Sequence, residues 1–201
     1  MKNFLLIFSF AIFLLSCQPI MKKFYGIKNP EIENEKTILI KVKKYKLDSQ
    51  NIVIVKSKEF PYVLNGQSIP DGAIYDSEGK YIEYRQTDTS CNAGLFQFIP
   101  ELKTSNIYNK PDKPNLSEEL AKFTNTKGDS IEPLEKADFY LLIYWTVWTG
   151  RLNKDHVKIW EDLAKANKNC KIKVIKVNLD LQETWGKEEL SKITNALKKK
   201  K

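Results

Sequence analysis

Residues 139–152 read FYLLIYWTVWTGRL, and nine of the first ten are apolar, Thr146 being the exception. An apolar run of this length closed by a glycine predicts a strand buried on both faces, Phe139–Trp148, rather than an alternating half-exposed one. It is too short to cross a membrane, which takes about 20 apolar residues. In α/β proteins the chemistry gathers at the C-terminal ends of such strands, so the turn after Trp148 is where a site is expected.

Downstream of that turn the pattern changes period. Val157, Trp160, Leu163 and Ala164 fall on one face of a helix predicted from about Asn153 to Asn167, with charged residues elsewhere. Lys171–Leu179 (KIKVIKVNL) predicts a second strand, and a last helix is expected over Lys187–Leu197. Strand, helix and strand at these lengths form a right-handed βαβ unit with parallel strands.

Upstream the signals are shorter. Thr37–Lys43 (TILIKVK) and Ile52–Val55 (IVIV) are β-branched runs separated by turn residues, which predicts an N-terminal hairpin. Phe60–Pro70 reads as loop. Ala73–Tyr75 and Tyr81–Tyr84 read as a second hairpin about Asp76–Gly79. A helix is expected over Ala93–Leu102, weakened by Pro100. Thr104–Lys136 carries Pro111, Pro114 and Pro133 and reads as a long connection holding one short helix capped by Ser117.

The chain carries 33 Lys and Arg against 25 Asp and Glu, a net charge of +8. Lys2 followed by the apolar Phe4–Leu15 and then Leu14-Leu15-Ser16-Cys17 resembles the signal peptide and lipobox of bacterial lipoproteins. That resemblance implies acylation of Cys17, removal of the residues before it, and anchoring of the mature chain, at +7, by its lipid. Gln18 after the modified cysteine, in place of Asp, leans the implied location toward the outer membrane where the cell has one. Gln18–Lys36, polar with Pro19 and Pro30, is expected as a tether. The resulting division is 1–17 signal peptide, 18–36 tether, 37–136 a β-rich part with its connection, and 137–201 the βαβα part. The Lys198–Lys201 tail reads as a solvated, frayed end. An exported protein of this kind is not expected to meet nucleic acid. With one histidine and no Cys/His ligand spacing, neither a metal nor any other cofactor is expected.

Tyr140–Trp185 resembles the first half of a thioredoxin-like domain, nearest in pattern to membrane-anchored extracytoplasmic thiol-disulfide oxidoreductases. In those proteins the apolar strand ends in an aromatic, a small residue, one further position and Trp, followed by Cys-Gly-Pro-Cys and a helix. Here Trp145-Thr146-Val147-Trp148 precedes Thr149-Gly150-Arg151-Leu152, and Val177-Asn178-Leu179-Asp180 matches the end of the next strand. Both cysteines of the motif are replaced, by Thr149 and Leu152. The dithiol reaction needs an attacking thiolate and a resolving thiol, so it cannot run at this position. A second fragment, Ile69-Pro70 through Asp76 and Gly79, matches the segment in which the family opens its third strand with a cis-proline, but precedes the βαβ unit instead of following it. Two arrangements accommodate this. One is α/β, a thioredoxin-like three-layer sandwich with circularly permuted strand order and an N-terminal β-hairpin extension. The other is an independent N-terminal β-subdomain. Antiparallel pairing of Ala73–Tyr75 with Tyr140–Val147 is required by the first.

Three functions are compatible with these readings. A binding or scaffold lipoprotein of the cell envelope would hold an extended peptide or a protein partner in a groove made by Trp148, Thr149, Gly150, Arg151, Leu152 and Pro70. A thiol oxidoreductase or peroxidase-like enzyme would use Cys91 alone. A structural envelope lipoprotein would have no site. Cys91 and Cys170 are expected too far apart to bridge, with Cys170 a small buried hydrophobe. Arg151 reads as a surface residue, with anion or carboxylate binding at the start of its helix as the alternative, and His156 is expected as a surface residue.

Overall fold

A computed structural model describes residues 22–66, 68–87 and 91–198. The elements in chain order are β1 (Ile32–Glu33), α1 (Glu35–Tyr45), β2 (Ile52–Val55), α2 (Phe60–Asn65), β3 (Asp71–Asp76), β4 (Tyr81–Ile82), α3 (Leu95–Glu101), α4 (Leu116–Leu120), β5 (Phe123–Asn125), β6 (Phe139–Trp145), α5 (Ile159–Ala166), β7 (Ile172–Asn178), β8 (Leu181–Gln182) and α6 (Gly186–Lys198). Six strands form one mixed sheet in the order β4-β3-β6-β7-β2-β5. β6, β7 and β2 run parallel, and β3, β4 and β5 are added antiparallel.

Every residue of β6 is buried, as its unbroken apolar run requires. Leu141, Ile143 and Trp145 point to one face, where Ile38 and Val42 of α1, Leu95 and Ile99 of α3, and Trp160 and Ala164 of α5 pack. Leu142 and Tyr144 point to the other, against Phe60 and Val63 of α2, Leu116 of α4, and Leu190 and Ile193 of α6. Helices thus cover both faces of a mixed α/β sheet. Ala73 pairs with Leu142 and Tyr75 with Tyr140, antiparallel, which is the pairing that the permuted order requires. The Ile69–Pro70 peptide bond is cis and Pro70 immediately precedes β3.

Four sequence expectations are corrected. Residues 37–43 are not a strand of a hairpin but the middle of α1. Ile38, Val42 and Tyr45 recur at helical spacing and are buried together, and packing overrides the β-branched propensity. The start is fixed by Asn34, whose side chain accepts from the Thr37 amide at 3.1 Å while Thr37 Oγ1 accepts from the Asn34 amide at 2.9 Å. Phe60–Asn65 is helical, with Pro61 in its first turn, where no N–H is needed. The cap of α4 is Asn115, not Ser117, again in a reciprocal box with Glu118. Finally, residues 22–36 do not form a free tether. A helical turn over residues 22–25 is followed by β1, which pairs parallel with β8, and the chain enters α1 directly.

The expected strand Phe139–Trp148 ends at Trp145 and gives way to a 3-10 turn, Val147–Thr149; the helix after it opens with a π-helical stretch, Asn153–Lys158, before α5. Wider turns of this kind occur often at functional positions. Among the described residues no helix is long and apolar enough to cross a membrane. Cys17 lies outside the described residues, as do residues 199–201 of the basic tail.

Candidate functional site

The site is built where β6, β7 and the N-terminal segment converge. Beyond Trp145 the chain turns through Thr146 and Thr149, both fully enclosed. Thr149 Oγ1 donates to the Thr146 carbonyl at 2.8 Å and lies 3.1 Å from Asn153 Oδ1, while Asn153 Nδ2 donates to that same carbonyl at 2.7 Å. The Thr149 hydroxyl is therefore consumed in closing the turn. Its exposure of 1% leaves no route for a substrate to reach it.

Beneath the turn lies Asp180, two residues beyond the end of β7. Its Oδ2 accepts from the Val147 amide at 2.6 Å and from Asn178 Nδ2 at 2.7 Å. Its Oδ1 is buried with no hydrogen-bond partner. Burial pushes the carboxyl up to about 7, against the lowering effect of these donors, and the neighbouring Glu33 carboxylate adds to the rise. Asn178 is itself held by Gln182, whose Nε2 donates to Asn178 Oδ1 at 2.8 Å. The sequence comparison passed through Asp180 as part of a strand ending without singling it out. The signal was there in an acidic residue two positions beyond a β-branched strand, Ile172–Asn178.

Over the turn lies the chain's own N-terminal segment. The Arg151 amide donates to the Tyr25 carbonyl at 2.7 Å, and the Lys28 amide donates to the Trp148 carbonyl at 2.9 Å. Gly150 makes this approach possible. It has φ +62°, and a Cβ there would fall well inside contact distance of the Tyr25 carbonyl oxygen and 2.5 Å from that of Gly26. The Arg151 guanidinium stacks over Phe24 at 5.2 Å from the ring centre and pairs with Asp155 at 3.1 Å. Glu33 of β1 is buried, and Asn34 donates to Glu183 at 3.0 Å, so the strap is fastened at both ends.

No family model, curated protein or solved structure matches this chain. Its geometry therefore carries the reading alone.

The expected groove is only partly assembled. Trp148, Gly150 and Arg151 line a cleft of about 570 Å³ between the strap and α1, whereas Thr149, Leu152 and Pro70 do not line it. Pro70 is buried, its carbonyl accepting from Asn92 Nδ2. Beside it, on the opposite face of the sheet, is a separate polar cleft of about 430 Å³ holding Asp71, Arg85, Tyr75 and Tyr144. Arg85 grips Asp71 through Nη2 at 2.7 and 2.9 Å, yet burial still raises the Asp71 carboxyl above its ordinary value.

Cys91 is exposed and Cys170 half-buried, both as free thiols. Cys170 Sγ donates to the Leu102 carbonyl at 3.2 Å, and burial raises its pKa, which disfavours the thiolate. His156 is not a free surface residue. It packs 5.5 Å from the ring centres of Phe96 and Trp160, and its Nδ1 is buried without a partner. Among the described residues no group of acidic, histidine and cysteine side chains is placed to hold a metal ion.

Proposed function

We propose that this protein is a membrane-anchored envelope lipoprotein whose thioredoxin-like, circularly permuted domain binds an extended peptide segment instead of catalysing thiol exchange. The order β4-β3-β6-β7, with β3 antiparallel to β6 and β7 parallel to it, supports the thioredoxin-like reading. The observation that carries the binding reading is the strap. Residues 25–28 engage Trp148 and Arg151 through main-chain hydrogen bonds, over a glycine that permits backbone-to-backbone approach. A surface that recognises backbone in this way accepts extended peptide, and in this state its occupant is the protein's own N-terminal segment. Thr149, enclosed and hydrogen-bonded, argues against a reacting group at the motif.

The test is exchange. Lys28→Pro removes the amide that donates to Trp148 and loosens the strap. A fluorescent peptide of residues 22–30 should bind this variant with measurable anisotropy change and bind the wild type at least tenfold more weakly. Equal absence of binding to both would sink the peptide-groove reading. Insulin reduction that is present in the wild type and abolished by Cys91→Ser would replace it with the single-thiol enzyme. The anchor is tested separately, by palmitate incorporation that Cys17→Ser should eliminate.

A further inference from the structure

The cleft between strap and α1 has a composition that peptide binding alone does not require. Six cations line it, Lys23, Lys28, Lys41, Lys44, Lys154 and Arg151, against two carboxylates, Glu31 and the buried Glu33. Among the described residues none of these five lysines takes part in an ion pair, and only Arg151 does. Two large apolar side chains stand exposed in the same cleft, Phe24 at 60% and Ile40 at 54%. Lysines around exposed aromatic and aliphatic side chains are the composition of a surface that sits at a lipid headgroup layer.

The chain path gives the second argument. Cys17 is five residues from Lys22, so the start of the strap lies within about 18 Å of the cysteine's Cα in any conformation. Because residues 22–36 are fastened to the domain and are not a free spacer, a lipid on Cys17 would bring this face, and not a random one, to the bilayer.

We propose that the strap–α1 face is a docking surface for an anionic phospholipid bilayer, a second membrane contact that fixes the orientation of the domain. A lipid on Cys17 would tether the chain without choosing which face meets the bilayer, and a basic patch next to the tether is what sets that face. The orientation argument rests on the lipid-anchor reading, whereas the charge and apolar composition of the face does not.

The experiment uses the full chain carrying Cys17→Ser, so that lipidation plays no part. It is sedimented with vesicles of phosphatidylcholine alone or with about a third phosphatidylglycerol. The N-terminal segment, with Lys2 and the α-amino group, is common to every variant, so the change in the ratio of the two partition coefficients between variants isolates the charged face. The expected ratio is at least about tenfold at 50 mM salt and collapses toward one at 500 mM. Lys41→Glu/Lys44→Glu on α1, and independently Lys23→Glu/Lys28→Glu on the strap, should each lower it about tenfold or more. Lys199→Glu/Lys200→Glu in the tail should leave most of it. A ratio near one for the Cys17→Ser chain overturns the proposal, as does a ratio lost only in the tail variant. Because the unlipidated chain is used, failure here is distinct from failure of palmitate incorporation.

Discussion

Lys176 and Asp180 lie four residues apart at the end of the same central strand, each 1% exposed, and the fold treats their charges in opposite ways. Lys176 Nζ meets Glu161 Oε1 at 2.9 Å, and both Glu161 oxygens also accept from the Asp48 amide, at 3.2 and 3.0 Å. Burial pulls the Lys176 ammonium down in pKa while the Glu161 carboxylate holds it up. Asp180 accepts from the Val147 amide and Asn178 on one oxygen, the Trp148 backbone adds a weaker favourable interaction, and among the described residues no cation pairs with it. The first is a closed pair that ties α5, β7 and the end of α1 together. The second is a carboxylate left incomplete beneath the turn where the strap docks. The first arrangement stabilises the ionised pair, whereas the second favours the protonated form of the carboxyl.

The largest effect should come from opening the closed pair. Lys176→Met leaves the buried Glu161 carboxylate with only the half-exposed Lys165 ammonium, 4.0 Å away, and should cost about 2–4 kcal/mol in urea unfolding, whereas Lys176→Met combined with Glu161→Leu should recover most of it. If the double variant is as unstable as the single one, the pair is not a self-contained unit.

Asp180 should respond to pH in a way the closed pair does not. Its carboxyl rises from an ordinary 3.8 to about 7 in the folded protein, so the folded state keeps a proton that the unfolded chain has released. Stability from this group is therefore full below about pH 4, falls as pH rises through the window to about 7, and is level above it. Asp180→Asn should remove that slope and stabilise the protein at pH 8 by on the order of 2–3 kcal/mol, less than the full shift implies because the new amide is also incompletely bonded. A wild-type stability that is flat between pH 4 and pH 8 contradicts this assignment.

Smaller effects sharpen the contrast at the strap. Gly150→Ala places a methyl against the Tyr25 and Gly26 carbonyls and a side chain at φ +62°. It should cost about 1–3 kcal/mol and expose residues 22–30 to proteolysis well before the domain unfolds. Cleavage no faster than in the wild type would mean the strap is held elsewhere. Thr149→Val removes the hydroxyl that closes the turn and should cost about 1 kcal/mol, with no effect on the pH slope assigned to Asp180.

Much of the C-terminal half was legible from sequence. An apolar run buried on both faces leaves one reading for β6, and strict helical spacing leaves one for α5, so the βαβ unit could be placed to within a few residues. The N-terminal half was less so. TILIKVK carries β-branched residues that also satisfy a helical spacing, and only the packing of Ile38, Val42 and Tyr45 against β2 and β6, with the Asn34 cap, selects the helix. β5 gives too little pattern, three residues, to stand out from its connection. At the site, Trp148, Gly150 and Arg151 were found from the motif they resemble. Asp180, Glu161 and Lys176 were missed, because a charged residue beside an apolar strand looks solvated until its neighbours are known.

The sequence by itself determined the buried central strand, the parallel βαβ unit and the absence of sulfur at the turn, since each is a local property of residue type and spacing. Only the tertiary structure decided that residues 22–28 lie across that turn. Two backbone hydrogen bonds and the room left by one glycine hold them there, and contacts made by main-chain atoms between segments 120 or more residues apart leave no pattern in the side chains that encode them.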